Sequence, residues 1–310
     1  MKSPSHIFFS LLALSVFTSS AFAETITVCL DGTCDFDDPL EAMEFATVGD
    51  IIQIAEGTYL LEETLVCKDG VHIQGAVDSD GNPTTTLDAQ GLGQVFGAVY
   101  TNEGTMVENL VMINGVGEYG GGVRLAAADL IFRNCIIRDN HALWHGGGMY
   151  INLHSSITMI DCVIMNNIAQ HPKWENNGFG GAFRFTSTSG MFRLVDCTVT
   201  GNYADGGIGG IMGGSEEAPL ILERTRVCGN TAPSTPQSGG GVITILGGCI
   251  EDDCDSCDVT VPADLNFDGI VNVTDLLILL EMWGSNGSAD IDFSGVVDVS
   301  DLLILIGVWG

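Results

Sequence analysis

Short segments in the middle of the chain alternate between two kinds of position with a period of two. In one of them Cys135 and Ile137 take the inward positions, and Asn134 and Ile136 take the outward ones. Such alternation is typical of a β-strand with one buried face. A strand this short cannot bury that face alone, so the segments are expected to pack against one another. Between residues 84 and 248 there is little helix signal.

The segments recur around an asparagine, and a glycine cluster follows each of them. Successive asparagines are separated by 26, 27, 35 and 28 residues. These anchors are Asn114, Asn140, Asn167, Asn202 and Asn230. Five residues before each lie Asn109, Cys135, Cys162, Cys197 and Thr225, and three before each lie Val111, Ile137, Ile164, Val199 and Val227. One repeat is longer because of an insertion at 171–177, which a stack of repeats accommodates as a loop.

Parallel stacking of the repeats would bury a continuous core and pair each backbone with the next coil. Equivalent residues would then lie about 4.8 Å apart. The sequence predicts that the five asparagines form a buried amide ladder at one corner and that the glycines form tight turns. Residues 39–46 are predicted to form a short amphipathic helix that caps the open end of the stack.

The pattern Asn134-Cys135-x-Ile137-x-x-Asn140, followed by Gly146-Gly147-Gly148, resembles the right-handed parallel β-helix repeats of the pectin lyase-like superfamily. It is closest in style to the repeats of polymorphic outer-membrane proteins. The N-terminal part is similar to the opening of many secreted β-helix proteins. It has the predicted helix, then "GD-I-I" from Gly49 and "GTY" from Gly57. The resemblance implies an all-β chain, with a right-handed parallel β-helix solenoid over residues 24–250.

Charge and composition narrow the classes of function. The chain has 40 acidic and 10 basic residues, a net charge of −30, and 45% hydrophobic residues. That hydrophobic content argues against disorder, and the scarcity of bases excludes nucleic acid as a partner. Residues 1–23 read as a bacterial Sec-type signal peptide, with Lys2, an apolar run at 7–17 and Ala21-Phe22-Ala23. The sequence thus predicts a secreted or cell-surface protein with no transmembrane segment after cleavage.

Export places the ten cysteines in an oxidising compartment. Cys254 and Cys257 have the spacing of half a zinc site, but no second pair matches it, so disulfides that close the end of the large domain are favoured. The pairing stays open. Cys135, Cys162 and Cys197 are predicted to form an inward column of buried thiols.

The C-terminus contains a duplicated segment. Residues 264–284 and 290–310 are identical at 12 of 21 positions, and each copy places oxygen-bearing residues at the spacing of a calcium loop. The first predicted site consists of Asp264, Asn266, Asp268, the Ile270 carbonyl, Asn272 and Asp275. The second consists of Asp290, Asp292, Ser294, the Val296 carbonyl, Asp298 and Asp301. Two Ca²⁺ ions are therefore expected, and each loop should continue into an apolar helix, at 275–283 and 301–309.

A loop with its exit helix, duplicated at the end of a secreted protein, resembles a type I dockerin. The resemblance implies a small α-helical domain over 263–310, after a Cys/Asp-rich linker at 251–262, and a cohesin-like or cell-envelope protein as partner. Dockerins are similar in having a Ser-Thr pair at loop positions 10 and 11. This chain instead has Val273-Thr274 and Val299-Ser300, which is a departure at the positions that set cohesin specificity.

Catalytic signals are sparse. Polygalacturonase-like β-helix enzymes resemble one another in three clustered aspartates, a Gly-His-Gly and an Arg-x-Lys, whereas this chain has His145-Gly146-Gly147 and no Arg-x-Lys. Asp161 and Asp196 are expected to stack in one outward column, where they would bind Ca²⁺ or share a proton. These two aspartates and His145 are the candidate catalytic residues.

Three functions compete on this evidence. The first is a non-catalytic β-helix that presents a glycan- or protein-binding surface and is tethered through the dockerin-like module. The second is a polysaccharide lyase or glycosidase displayed through that module. The third is an adhesin-like component of the cell envelope. The missing catalytic constellation favours the first.

Overall fold

The computed structural model describes residues 23–102, 104–257, 263–266, 270–292 and 294–309. The predicted signal peptide therefore lies outside the described residues, except for Ala23. Between Thr25 and Glu251 the chain forms 28 short strands, most of them three to five residues long. Every named strand pair is parallel, so the parallel β-solenoid predicted from the repeats is confirmed.

The strands have these bounds in chain order: β1 (Thr25–Val28), β2 (Ile51–Ile54), β3 (Gly57–Leu60), β4 (Leu65–Cys67), β5 (His72–Gly75), β6 (Thr85–Asp88), β7 (Phe96–Val99), β8 (Thr105–Glu108), β9 (Leu110–Ile113), β10 (Val116–Tyr119), β11 (Val123–Ala126), β12 (Asp129–Arg133), β13 (Ile136–Arg138), β14 (His141–His145), β15 (Met149–His154), β16 (Ser156–Ile160), β17 (Val163–Met165), β18 (Ile168–Ala169), β19 (Phe183–Ser189), β20 (Phe192–Val195), β21 (Thr198–Thr200), β22 (Tyr203–Ala204), β23 (Ile211–Gly213), β24 (Leu220–Glu223), β25 (Arg226–Cys228), β26 (Ser238–Gly239), β27 (Ile243–Leu246) and β28 (Cys249–Glu251).

Four parallel sheets run along the solenoid. A nine-stranded sheet has the order β1-β2-β5-β8-β12-β16-β20-β24-β27, and an eight-stranded sheet has the order β3-β6-β9-β13-β17-β21-β25-β28. A seven-stranded sheet has the order β4-β7-β11-β15-β19-β23-β26, and a four-stranded sheet has the order β10-β14-β18-β22. A complete coil passes through the nine-, eight-, four- and seven-stranded sheets in turn, so each coil lies beside the same strands of its neighbours.

The core lies inside the coils. Inward positions are occupied by aliphatic and aromatic side chains at 3% exposure or less, such as Leu130, Ile157, Phe192 and Leu220 on successive strands of the nine-stranded sheet. The Phe183 and Phe192 rings meet edge to face with centroids 5.2 Å apart. Each coil therefore contributes one layer of apolar contact to a continuous core.

An amide ladder runs along the corner between the eight- and four-stranded sheets. Each rung accepts from the previous one: Oδ1 of Asn167 binds Nδ2 of Asn140 at 3.0 Å, and Oδ1 of Asn202 binds Nδ2 of Asn167 at 3.0 Å. Asn230 continues the ladder at 2.8 Å, and Gln237 closes it at 2.9 Å. The predicted ladder is thus confirmed for four of its five asparagines.

The prediction is wrong for Asn114. Val111 pairs with Ile136, not with Ile137, so the first repeat is shifted by one residue and Gly115 takes the ladder position. A Cβ at Gly115 would lie 2.2 Å from the Gly121 carbonyl oxygen, so no side chain fits there. Asn114 instead adopts a φ of 57° and donates to Asp88 outside the core.

A helix and disulfide bonds lie at the two ends of the solenoid. The helix α1 (Pro39–Phe45) buries Ala42 and Met43 against the first strands, as predicted for the cap. Disulfides join Cys29 to Cys34, Cys228 to Cys254 and Cys249 to Cys257. Disulfides at the end of the large domain are confirmed in place of zinc. Cys135, Cys162 and Cys197 are free and buried, as predicted, and so is Cys67.

The C-terminal segment has its own apolar core. The helices α2 (Val273–Glu281) and α3 (Val299–Gly307) meet through Leu279 and Leu305, which are fully buried. Both helices begin two residues earlier than predicted. The reason is a capping box in which Asn272 or Asp298 is the N-cap and the aspartate three residues later bonds back to its amide.

The domain boundaries remain predictions. In the segment assigned to the linker, Glu251 ends β28, and a 3₁₀ turn at Cys254–Ser256 is bonded back to the solenoid through its flanking disulfides. Residues 258–262 lie outside the described residues. Across the described ranges, no helix is both long enough and apolar enough to span a membrane.

Candidate functional site

Three carboxylates converge at the second predicted calcium loop. One oxygen each from Asp290, Asp292 and Asp301 lies within 4.8 Å of the other two. Asp290 and Asp301 are buried, whereas Asp292 is exposed. This arrangement brings three carboxylates together within one short loop, two of them buried.

Backbone hydrogen bonds shape this loop. The amide of Gly295 donates to Oδ2 of Asp290 at 2.8 Å, and the amide of Ser294 donates to Oδ1 of Asp292 at 3.1 Å. Gly295 has a φ of 94°, which a residue with a Cβ rarely adopts. The sixth position of the loop therefore makes the sharp turn that folds the chain back around the carboxylates.

The last aspartate of each loop ties the loop to its helix. Oδ1 of Asp275 accepts the amides of Leu265 and Asn266 at 2.7 and 3.1 Å, and its Oδ2 accepts the amide of Asn272 at 2.8 Å. Asp301 accepts the amides of the three equivalent residues in the second loop. Each of these carboxylates therefore holds the start of its loop and caps its helix at once.

One carboxylate oxygen in the second loop is buried without a donor beside it in the described part of the loop. Among the described residues, Oδ1 of Asp290 accepts no hydrogen bond. Burial raises the pKa of Asp290, and the neighbouring charges of Asp301 and Asp292 raise it further. A hard cation among these oxygens would supply the missing partner and offset the repulsion. The donor set thus fits Ca²⁺, which would neutralise the three carboxylates and fix the loop.

The remaining predicted ligands are distributed as follows. Asp264 is 1% exposed at the start of the first loop. Asn272 accepts the Thr274 amide, as the N-cap of α2, and its Nδ2 donates to the Ile270 carbonyl at 3.1 Å. Oγ of Ser294 donates to the Val296 carbonyl at 3.1 Å, and Asp298 accepts the Ser300 amide. Asp268 lies outside the described residues, so the first loop is described only in part.

The two aspartates proposed as a stacked pair lie at the corner between the nine- and eight-stranded sheets. Equivalent corner residues all have positive φ and are Asn109, Asn134, Asp161, Asp196 and Arg224. Arg224 binds Asp196 through two hydrogen bonds, from Nε at 2.8 Å and from Nη2 at 2.9 Å. Asp196 is therefore committed to an ion pair and is a poor partner for a metal or a shared proton.

Asp161 is the other aspartate of this corner column. Partial burial raises its pKa, and the adjacent charge of Asp196 adds to the effect. A carboxyl with a raised pKa is suited to donate a proton. The arrangement therefore provides one candidate acid, with no second carboxylate free to assist it in this column.

His145 lies at a different corner. It ends β14, before Gly146, and its ring contacts Tyr119 and Phe179 at centroid distances of 5.7 and 5.6 Å. Burial lowers the pKa of His145, and the charge of Arg184 lowers it further. The structure therefore does not bring the three candidate catalytic residues together: Asp161 and Asp196 share one corner, and His145 stands at another.

Comparisons with known proteins give little beyond this geometry. No protein-family model matches the chain, and no curated protein matches it. Among solved structures the chain is similar to a pectin methylesterase from carrot, with 13% sequence identity over 73% of this chain and 84% of that chain and a TM-score of 0.38. The fold assignment therefore rests on the chain's own strand pairing, which makes it a parallel β-solenoid.

Proposed function

We propose that this chain is a secreted or cell-surface protein whose non-catalytic solenoid presents a glycan- or protein-binding surface, tethered through a calcium-binding, dockerin-like module. The observation that carries the proposal is the buried Oδ1 of Asp290, which has no hydrogen-bond donor within the described residues and lies beside Asp292 and Asp301. A buried carboxylate oxygen without a donor is costly, and a bound cation removes that cost. Calcium would then stabilise the module by binding the folded loops.

The exit helices support a docking role. Each leaves large apolar side chains in solvent at equivalent positions, with Leu277 61% and Leu303 65% exposed. Leu280 on the first helix corresponds to Ile306 on the second. Trp283 and Trp309 follow the two helix ends at equivalent positions, and all four side chains are exposed. Large apolar side chains left in solvent at matching positions of the two copies support an interaction surface. The proposed occupant is a cohesin-like or cell-envelope protein, in line with the dockerin resemblance.

The alternative is a polysaccharide lyase or glycosidase displayed by the same module. The specific observation in its favour is the raised pKa of Asp161. The pairing of Asp196 with Arg224 and the separate position of His145 weigh against it. Polysaccharide turnover by the wild type, measured as new reducing ends or unsaturated products and abolished in Asp161→Asn, would establish the enzyme in place of the non-catalytic scaffold.

Calcium titration tests the proposed module. The mature protein, freed of metal with a chelator, is titrated with CaCl₂ in a calorimeter and should bind two ions per chain. Asp290→Asn should remove one binding event or weaken it at least tenfold, because it removes a ligand charge from the loop. Asp37→Asn, an exposed carboxylate far along the sequence from the loops, is the matched control. The absence of binding heat, together with an unchanged circular dichroism spectrum on chelation, would refute the calcium assignment.

A further inference from the structure

An aromatic row crosses the four-stranded sheet at its glycine corner. Tyr119 pairs with His145 across one coil, and His145 bridges to Phe179 across the next. Their ring centroids are 5.7 and 5.6 Å apart. The row therefore runs along the solenoid axis, with one partly exposed ring on each of three coils.

A second row lies across the corner on the seven-stranded sheet. Arg124 pairs with Tyr150, and Tyr150 pairs with Arg184, at the usual interstrand spacing of about 4.8 Å. The ring of Tyr150 lies 5.1 Å from that of Tyr119. The row of Arg124, Tyr150 and Arg184 and the aromatic row are therefore two sides of one surface, which we name the corner face.

Arg184 has no anionic partner in the part of the chain that the structure describes. Within the described residues its guanidinium makes no hydrogen bond or ion pair, and its Nε is buried without a partner. Burial lowers the pKa of Arg184, and burial together with the charge of Arg184 lowers the pKa of His145. A half-buried arginine with no ion pair among the described residues is suited to receive an anion from outside the chain.

A second aromatic cluster, which we name the aromatic platform, begins at the residue before His145. Trp144, next to His145 in the sequence, lies 5.1 Å from Trp174 between ring centroids, and His171 stacks on Trp174 at 4.3 Å. Trp174 belongs to the 171–177 insertion and is 54% exposed. The solvent-exposed part of the Trp174 indole can pack against the apolar C–H face of a sugar ring, while the sugar hydroxyls remain in water.

We propose that the corner face binds a largely neutral glycan with isolated acidic sugars. A sugar ring would pack on Trp174, and one carboxylate would pair with Arg184, with Arg124 two strands away. A densely charged polyanion is a poor ligand, since the net charge of −30 repels it. The inference rests on the glycan-presenting role proposed above and names the ligand class and the residues that select it.

The test compares three polymers on the mature protein with Ca²⁺ present. Glucuronoxylan carries isolated uronic acids on a neutral backbone, its carboxyl-reduced form has the same backbone without charge, and polygalacturonate is a polyanion. The wild type should bind glucuronoxylan about tenfold or more tightly than the reduced polymer, as expected for a charge-assisted contact. It should bind polygalacturonate more weakly than glucuronoxylan at low salt.

Two variants separate the charge from the platform. Arg184→Met keeps the packing of the side-chain stem and should remove the preference for the acidic polymer while binding the reduced one unchanged. Trp174→Ala, in an exposed loop, should weaken binding of both. Arg226→Met, an exposed arginine on the eight-stranded sheet, is the matched control and should behave as the wild type.

The outcomes distinguish the two proposals. Equal binding of acidic and reduced polymers, or full acidic preference in Arg184→Met, would overturn the acidic subsite and leave a glycan-binding solenoid. Tighter binding of polygalacturonate would overturn the selection for isolated charges. No binding of any polymer would overturn the inference and the glycan role together, whereas the calcium titration would still decide the module independently.

Discussion

Asn167 provides the sharpest test of how the solenoid is held together. Its side chain is fully buried in the middle of the amide ladder. Oδ1 accepts the backbone amide of Asn140 at 3.1 Å and its Nδ2 at 3.0 Å. Nδ2 donates to the Ile137 carbonyl at 2.9 Å and to Oδ1 of Asn202 at 3.0 Å. Asn167→Ala removes all four of these bonds.

The magnitude follows from what each partner retains. The Asn140 amide loses its acceptor and becomes a buried donor without a partner, at a cost of about 1–3 kcal/mol. Nδ2 of Asn140 keeps its bond to the Met112 carbonyl, and Oδ1 of Asn202 keeps the Asn167 amide. The other three bonds contribute about 1 kcal/mol each. Asn167→Ala should therefore lower the free energy of unfolding by about 4–6 kcal/mol.

Urea unfolding at saturating Ca²⁺, followed by the β-sheet circular dichroism signal, measures this change as a shift of the midpoint at constant slope. Asn177→Ala, in the exposed insertion, is the matched control and should change stability by less than about 0.5 kcal/mol. Asn167→Asp preserves the shape but points an oxygen at the Ile137 carbonyl, so it should destabilise at least as strongly at neutral pH. A loss below about 1 kcal/mol in Asn167→Ala would refute the ladder as a main support of the fold.

Three further predictions follow from the corners and the core. Asp161→Asn should raise the melting temperature by about 1–2 °C at pH 7, because it removes a carboxylate opposite Asp196. Because the pKa of Asp161 is raised in the folded protein, the destabilisation by its charge is absent below about pH 4 and grows as pH rises through the folded pKa. If Asp161→Asn were still more stable than the wild type at pH 3, this reasoning would be contradicted. The four free thiols should not react with a thiol reagent in the native protein, and all four should react in urea. The reason is that burial raises the pKa of Cys67 to about 12 and that the other three thiols are also buried. A thiol that reacts in the native protein would contradict its buried position. Gly121→Ala should lower the free energy of unfolding by about 1–3 kcal/mol, because its Cβ would lie 2.4 Å from the Gly147 carbonyl oxygen. The control Gly93→Ala has room for a Cβ and should leave the melting temperature nearly unchanged. Equal effects of the two substitutions would contradict the steric argument.

The sequence was sufficient for features that depend on local chemistry repeated at a fixed spacing. The parallel coils, the ladder from Asn140 onward and the inward thiols follow from period-two alternation and recurring asparagines. The first repeat was misplaced because Asn114 and Gly115 are adjacent, and an asparagine is as suitable for a left-handed corner as for a ladder. Spacing alone does not distinguish these roles, whereas the close approach of the Gly121 carbonyl to Gly115 does.

The candidate sites were harder to predict because they depend on which corner a residue occupies. Asp161 and His145 are only 16 positions apart in the sequence, yet they stand on different corners of the coil. The sequence does not predict the corner face. Its residues come from separate coils, and their meeting depends on a register that includes a bulge between Gly117 and Tyr119. A hint was present in arginines and aromatic residues at similar offsets from the glycine clusters.

The regular ladder has a consequence for how such a protein changes length during evolution. Residues 141–167 make up one full coil, from the start of β14 to the rung at Asn167. Loss of that segment would leave Asn140 facing Asn202, an identical partner, and would bring strands of the same four sheets into contact. Whole coils are therefore units of gain and loss, and selection can adjust the length of the displayed surface without redesigning its core or either end.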